Sequence, residues 1–174
     1  MKPSPIAFSL LFSWILAASS VHAQTTSQAL RSAGISFDAP AGWSVEDLAQ
    51  EHGVLLMAPN EEANWQANIF LELREDAGNR SLDQALADLS VSLEGRKSRY
   101  KELRRSTKRT AKGLEFGLLE YSHEASGVSL VEREAIFTVR GKSRLFVLTS
   151  TAKSVEAKYT PIFDAFLSSV TAPR

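Results

Sequence analysis

The chain has 174 residues, with 20 Lys and Arg against 20 Asp and Glu, and no cysteine. A formal net charge of zero gives no ground for a nucleic-acid partner. The missing thiols exclude disulfides, thiolate catalysis, thiol metal sites and cysteine-linked lipid, so an apolar core alone must hold the fold.

Lys2 is followed by an uncharged apolar run, Ile6 to Ala18, and then by Val21-His22-Ala23, with compact residues where a signal peptidase reads. This order predicts an export signal over residues 1–23, cleaved after Ala23, and a periplasmic or secreted mature protein. The run is shorter than the roughly 20 apolar residues of an uncleaved span, and serines interrupt it. The remaining 151 residues carry 19 basic and 20 acidic side chains and suit one domain. Residues 24–33 are small and polar and read as a flexible lead-in to a domain over 34–172.

Ile35-Ser36-Phe37 alternates as a strand does, and Ala39-Pro40-Ala41-Gly42 makes a turn before Trp43-Ser44-Val45. A second strand, Val54 to Met57, is expected to stop at Ala58-Pro59-Asn60. The third, about Gln66 to Arg74, puts Ala67, Ile69, Leu71 and Leu73 on one face. The period then switches. Ser81 with Gln84 forms a capping-box pattern, and Leu82, Ala85, Leu86, Leu89 and Leu93 predict a helix over Leu82–Glu94, with Gly95 weakening its end. Four strands follow, at 101–109, 114–123, 129–139 and 143–151, separated by Lys112-Gly113, Ala125-Ser126-Gly127 and Arg140-Gly141-Lys142. Arg133 interrupts the apolar face of Val131, Ala135, Phe137 and Val139, which suggests a sheet edge there. Pro161 suits the first turn of a last helix carrying Ile162, Phe163, Phe166, Leu167 and Val170. Three strands, a helix, four strands and a helix give an α+β fold: an antiparallel sheet of about six to seven strands flanked by two main helices.

The stretch Ile35-Ser36-Phe37-Asp38-Ala39-Pro40-Ala41-Gly42-Trp43 resembles the opening of the PsbP/DcrB-like superfamily. Later pieces agree in order: Ser81-Leu82, Gly113-Leu114-Glu115-Phe116, and Tyr159 through Ile162-Phe163-Asp164 to Ser168-Ser169-Val170. The resemblance implies an α/β/α sandwich in exported proteins that bind or assist other components. It brings no catalytic residues, since Pro40, Gly42 and Trp43 match a folding turn. The lipid-attached relatives carry a cysteine at the cleavage site, and this chain has none.

Catalytic patterns are sparse. There is no Gly-x-Ser-x-Gly elbow, and Ser126 before Gly127 reads as turn chemistry. Glu132 and Glu134 share a strand face about 7 Å apart by strand rise, as a glycosidase pair could or as a solvated face would. Metal-assisted chemistry would need His52 and His123 with Glu51 or Glu124, but neither histidine lies in a ligand-spaced motif and both read as exposed. The expectation is a protein that is not an enzyme, with no metal and no cofactor.

The most uneven feature is electrostatic. Residues 96–112 hold Arg96, Lys97, Arg99, Lys101, Arg104, Arg105, Lys108, Arg109 and Lys112 against Glu102 alone. Positive charge falls on both faces of the predicted strand, as suits an exposed edge protected from aggregation. These nine residues, with Tyr100 as an aromatic contact, are the candidate surface for an anionic partner: a protein or an anionic envelope component, including a peripheral membrane contact. The resulting reading is a non-catalytic periplasmic binding or accessory protein. A periplasmic inhibitor or immunity protein against a toxin or hydrolase is the alternative, and a metal-assisted enzyme a remoter one.

Overall fold

The computed structural model describes residues 28–48, 53–75, 80–139 and 143–173. The expected export segment, Glu51, His52 and the Arg140-Gly141-Lys142 turn lie outside the described residues. In chain order the elements are α1 (Gln28–Ser32), β1 (Ser44–Leu48), β2 (Gly53–Glu62), β3 (Trp65–Glu75), α2 (Leu82–Glu94), β4 (Ser98–Arg109), β5 (Glu115–Ala125), β6 (Val128–Thr138), β7 (Ser143–Ala152) and α3 (Glu156–Ser169), with a short 3-10 turn at Lys153–Val155 before α3.

The seven strands form one antiparallel sheet in the order β1-β2-β3-β7-β6-β5-β4. Tight turns join most neighbours. Ala63 and Asn64 take φ of 54° and 61° between β2 and β3, and Ser126 and Gly127 take 51° and 78° between β5 and β6. Two consecutive positive-φ residues match the right-handed twist of the strands they join. The one long crossing runs from β3 through α2 and carries β4 to the far edge of the sheet.

Each face has its own core, because strands alternate their side chains. On one face, Tyr159, Phe163, Phe166 and Leu167 of α3 cover Val54, Leu56, Ile69, Leu71, Leu118, Phe137 and Val147. Trp43 meets Tyr159 and Phe163 edge-on, each with ring centroids 6.2 Å apart, so the Pro40-Ala41-Gly42-Trp43 turn clamps α3. On the other face, Ala85, Leu86 and Leu93 of α2 cover Leu119, Tyr121 and Ile136.

Helix α2 begins as its sequence dictates. The Ser81 hydroxyl accepts from the Gln84 amide at 3.2 Å, and the Gln84 side chain accepts from the Ser81 amide at 3.0 Å. Ser81→Ala is expected to cost about 1 kcal/mol of stability in urea denaturation.

Four expectations are corrected. Ile35-Ser36-Phe37 makes only an isolated bridge, Ser36 to Thr171, although Ile35 and Phe37 are buried. Residues 28–32 of the expected lead-in form α1, since Leu30 is fully buried in the α3-side core. Strand β2 runs past Pro59 to Glu62, with a register shift between Met57 and Glu61 that accommodates the missing N–H. Pro161 stands inside α3, which starts at Glu156, and not in its first turn.

Arg133 is the most informative departure. It lies in β6, between β5 and β7, and is 7 % exposed. Its guanidinium donates to Asp164 Oδ1 at 3.2 Å and Thr160 Oγ1 at 3.0 Å, with Glu156 at 4.0 Å, all on α3. A charge is tolerated at the centre of the sheet because the covering helix supplies carboxylates.

Candidate functional site

The basic segment forms the far edge of the sheet. Strand β4 pairs only with β5, through two register shifts that bulge it near Arg99 and Leu103. Its charges are largely exposed but unequally available. Arg99 bonds Glu124 at 2.6 Å, Arg105 bonds Glu102 at 2.8 Å, and Arg109 lies 4.0 Å from Glu115. Arg96 donates to the Ser92 carbonyl at 3.1 Å, closing the C-terminus of α2, where cations meet the negative end of the helix dipole.

Lys112 lies past the end of β4, in the turn before β5, and on the strand itself Lys101, Arg104 and Lys108 remain. Their register partners on β5 are Ser122, Glu120 and Phe116, so all three share the α3-side face of the sheet. Among the described residues none of the three is in an ion pair; Glu120 stands opposite Arg104 without closing one. By strand rise they span about 20 Å. Four of the nine cations thus lie beside carboxylates, and Lys101, Arg104 and Lys108 form a row in no ion pair on one face.

Two candidate residues are drawn inward. Tyr100 exchanges a hydrogen bond with Ser90 Oγ of α2 at 2.8 Å and lies 5.4 Å from the Tyr121 ring. It packs, partly buried, against the α2-side core. Lys97 reaches from the end of α2 to Glu132 Oε2 at 3.0 Å.

That lysine leads to a polar network beneath α2 that the sequence did not announce. Tyr121 Oη on β5 lies 2.6 Å from Glu132 Oε2 and 2.9 Å from Glu134 Oε1 on β6. Ser150 Oγ on β7 donates to Glu132 Oε1 at 3.2 Å, and His123 Nε2 stands 3.1 Å from Glu132 Oε2. One phenol has a single proton to donate, so the second carboxyl must supply its own if both contacts are hydrogen bonds. The electrostatics agree. Burial pushes the Glu134 carboxyl up, and the neighbouring Glu132 charge adds to the rise. Burial also pushes Glu132 up, but the Tyr121 hydroxyl, Lys97 and His123 together bring it below the ordinary carboxylate range. Burial, and then the Glu134 and Glu132 charges, hold the Tyr121 phenol far above its usual range. Tyr121 thus joins the two carboxyls, donating to Glu132, and burial makes Glu134 the carboxyl that takes up a proton more readily.

These positions correct two expectations. Glu132 is 4 % exposed, not part of a solvated face, and His123, which reads as exposed in the sequence, is also only 4 % exposed. Because β5 alternates, His123 faces α2 while Glu124 turns away to Arg99, so these two members of the expected metal set do not converge. Among the described residues no group of three His, Cys, Asp or Glu side chains is placed to hold a metal ion. Nor is any helix among them long and apolar enough to cross a membrane. Ser126 sits in the β5–β6 turn.

No family model and no curated protein matches the chain. Solved structures do. LpqN of Mycobacterium tuberculosis, involved in cell envelope biogenesis, superposes with a TM-score of 0.64 at 11 % identity, over 80 % of this chain and 83 % of its own. The cyanobacterial PsbP of a Synechocystis species matches at 0.61 and 17 % identity, over 82 % and 88 % of the two chains. The chain has the PsbP/DcrB-like fold. PA94 of Pseudomonas aeruginosa, a protein of unknown function, shares it at 0.61 and 15 % identity over 76 % and 97 %. The PsbP-like sandwich thus accounts for the Pro40–Trp43 turn as the clamp on α3, a role in folding.

Proposed function

We propose that this PsbP-like chain is an exported, non-catalytic binding or accessory protein that engages an anionic partner through the β4 edge. The observation that carries the reading is the free row of Lys101, Arg104 and Lys108 on an edge strand whose other charges are matched. An exposed edge needs some charge to discourage strand pairing, yet that role is served by any sign arrangement. Three unmatched cations on one face go further, because each can contribute roughly 1 kcal/mol against an anionic surface at low salt. The network under α2 supports a non-catalytic assignment in its turn: its hydrogen bonds join the core to the sheet, and Glu132 is closed to solvent. Involvement of LpqN in the cell envelope is consistent with this setting.

The test is binding of the purified protein to vesicles of phosphatidylglycerol and phosphatidylcholine in equal parts. Binding should weaken steeply with salt, and K101E/R104E/K108E should lose at least tenfold in affinity with the fold unchanged by circular dichroism. Salt-independent binding, or full binding by the triple variant, would overturn the proposal.

A further inference from the structure

A second surface, on the other face of the sheet, has a different chemistry. A groove of about 400 Å³ runs along the flank of α2, between the helix and strands β3, β6 and β7. Helix α2 has 13 residues, so at 1.5 Å per residue the flank is about 20 Å long. Ile136 and Phe146 on the sheet side and Leu89 on the helix side give the groove an apolar floor and wall. Four arginines and two carboxylates, Glu75 and Asp88, line it: Arg74 and Arg144 come from the sheet, and Arg80 and Arg96 from beyond the two ends of α2, so cations outnumber anions.

The arginines are held in place. The Arg74 guanidinium lies 4.7 Å from the centroid of the Phe146 ring and bonds Glu72 Oε2 at 2.5 Å. Arg80 bonds Asp88 at 2.9 Å across the helix start, and Arg144, 6 % exposed, donates to the Arg80 carbonyl. Arg96 is exposed and anchored by its Nε bond to the Ser92 carbonyl. A guanidinium carries five donors, so the Glu72 contact of Arg74 leaves others for a ligand. Exposed pairs such as Arg74–Glu72 and Arg80–Asp88 contribute little and can be shared with an incoming anion.

We infer that this groove binds an amphiphile with an apolar chain and a phosphate-type anionic head, the chain lying on Phe146, Ile136 and Leu89 and the head engaged by the flanking arginines. Two features favour such a ligand over a bare anion. The floor is apolar, so a chain gains by burial there and a bare ion does not. The cations also sit around that floor, where the head of a bound chain must emerge.

The experiment uses dodecyl phosphate below its micellar concentration, with dodecyl maltoside carrying the same chain without charge, and inorganic phosphate carrying the charge without a chain. Dodecyl phosphate is expected to bind at least tenfold more tightly than either. R74Q/R96Q should weaken it at least tenfold, and L89Q should weaken it severalfold, each with a wild-type circular dichroism spectrum. K101E/R104E/K108E should leave this binding within twofold of wild type, which separates the groove from the β4 edge. No binding of dodecyl phosphate, equal binding of the maltoside, or full binding by R74Q/R96Q would overturn the inference. Binding lost in the β4 variant alone would overturn it too, while leaving the β4 proposal standing.

Discussion

Glu132→Gln is expected to destabilise the protein by about 3 kcal/mol at pH 7, the cost of leaving a partly buried cation without its counter-ion. The glutamine fills the same space and still accepts from Tyr121, so the loss isolates the charge. Lys97 stands 3.0 Å from the carboxylate with a side chain 29 % exposed, and it can turn partly to water. That escape holds the effect to the low end of the 3–5 kcal/mol measured for broken buried pairs. Glu134→Gln should behave in the opposite way. Its carboxyl is raised above the ordinary value of 4.5, chiefly by burial. A raised carboxyl favours folding in its protonated form, so its contribution is complete below the unfolded value and is lost as pH rises through the folded one. Glutamine keeps a neutral donor toward Tyr121 and never ionises. The variant should therefore match wild type near pH 4 and become the more stable of the two as pH rises to 8. Glu132, with its lowered carboxyl, contributes stability present above 4.5 and lost as the pH falls through its folded value. Urea denaturation across pH 4–8 reads both signs. Equal pH slopes for wild type and Glu134→Gln would show that Glu134 is ionised in the fold.

The fold was legible because its signals are local. The Ser81–Gln84 capping box, the switch of hydrophobic period at Leu82 and the glycine-bearing turns each act over a few residues, and α2 spans the predicted residues. Strand bounds held for β3 and for β4 to β7 within a few positions. What failed depended on neighbours distant in sequence. Pro59 reads as a stop, yet a bulge on an inner strand accommodates it. Arg133 reads as an edge residue until α3 brings Asp164 and Thr160 over it. The basic segment was visible, but which of its cations are free was not, because their carboxylate partners Glu115, Glu124 and Glu132 follow it on β5 and β6. The buried network had one available sign. Val131, Ala135 and Phe137 claim one face of β6 for a core, and the apolar stripe of α2 needs a face as well. A strand wanted by helices on both sides must bury whatever lies on each, and that includes Glu132. No comparable sign marks the arginine groove, whose walls come from residues 74 to 146.

Seating of α2 over the network rests on one close approach, and Gly117→Val is expected to cost about 2–3 kcal/mol by blocking it. A Cβ at Gly117 would stand 2.8 Å from Leu86 Cδ1 and 3.0 Å from its Cγ. Leu86 is fully buried in the core that α2 forms with Leu119, Tyr121 and Ile136, so its side chain has no open space to enter. The helix must then lift from β5, or Leu86 must take a strained rotamer. Leu86→Ala alone should cost about 3 kcal/mol through the cavity it leaves. If the two side chains compete for the same space, the pair together should cost at least about 1 kcal/mol less than the sum of the single changes, as residues in direct contact commonly do. Additive losses in urea denaturation would mean that Gly117 is required for some reason other than helix approach. The glycine matters beyond packing, because α2 supplies Ser90 and Leu93 beside Tyr100 and Tyr121. A lifted helix admits water to the network, and the rise that burial gives the Glu134 carboxyl would shrink. Gly117→Val should accordingly reduce the pH-dependent difference between the glutamate and its Glu134→Gln variant, coupling the position of one helix to the charge state of the sheet beneath it.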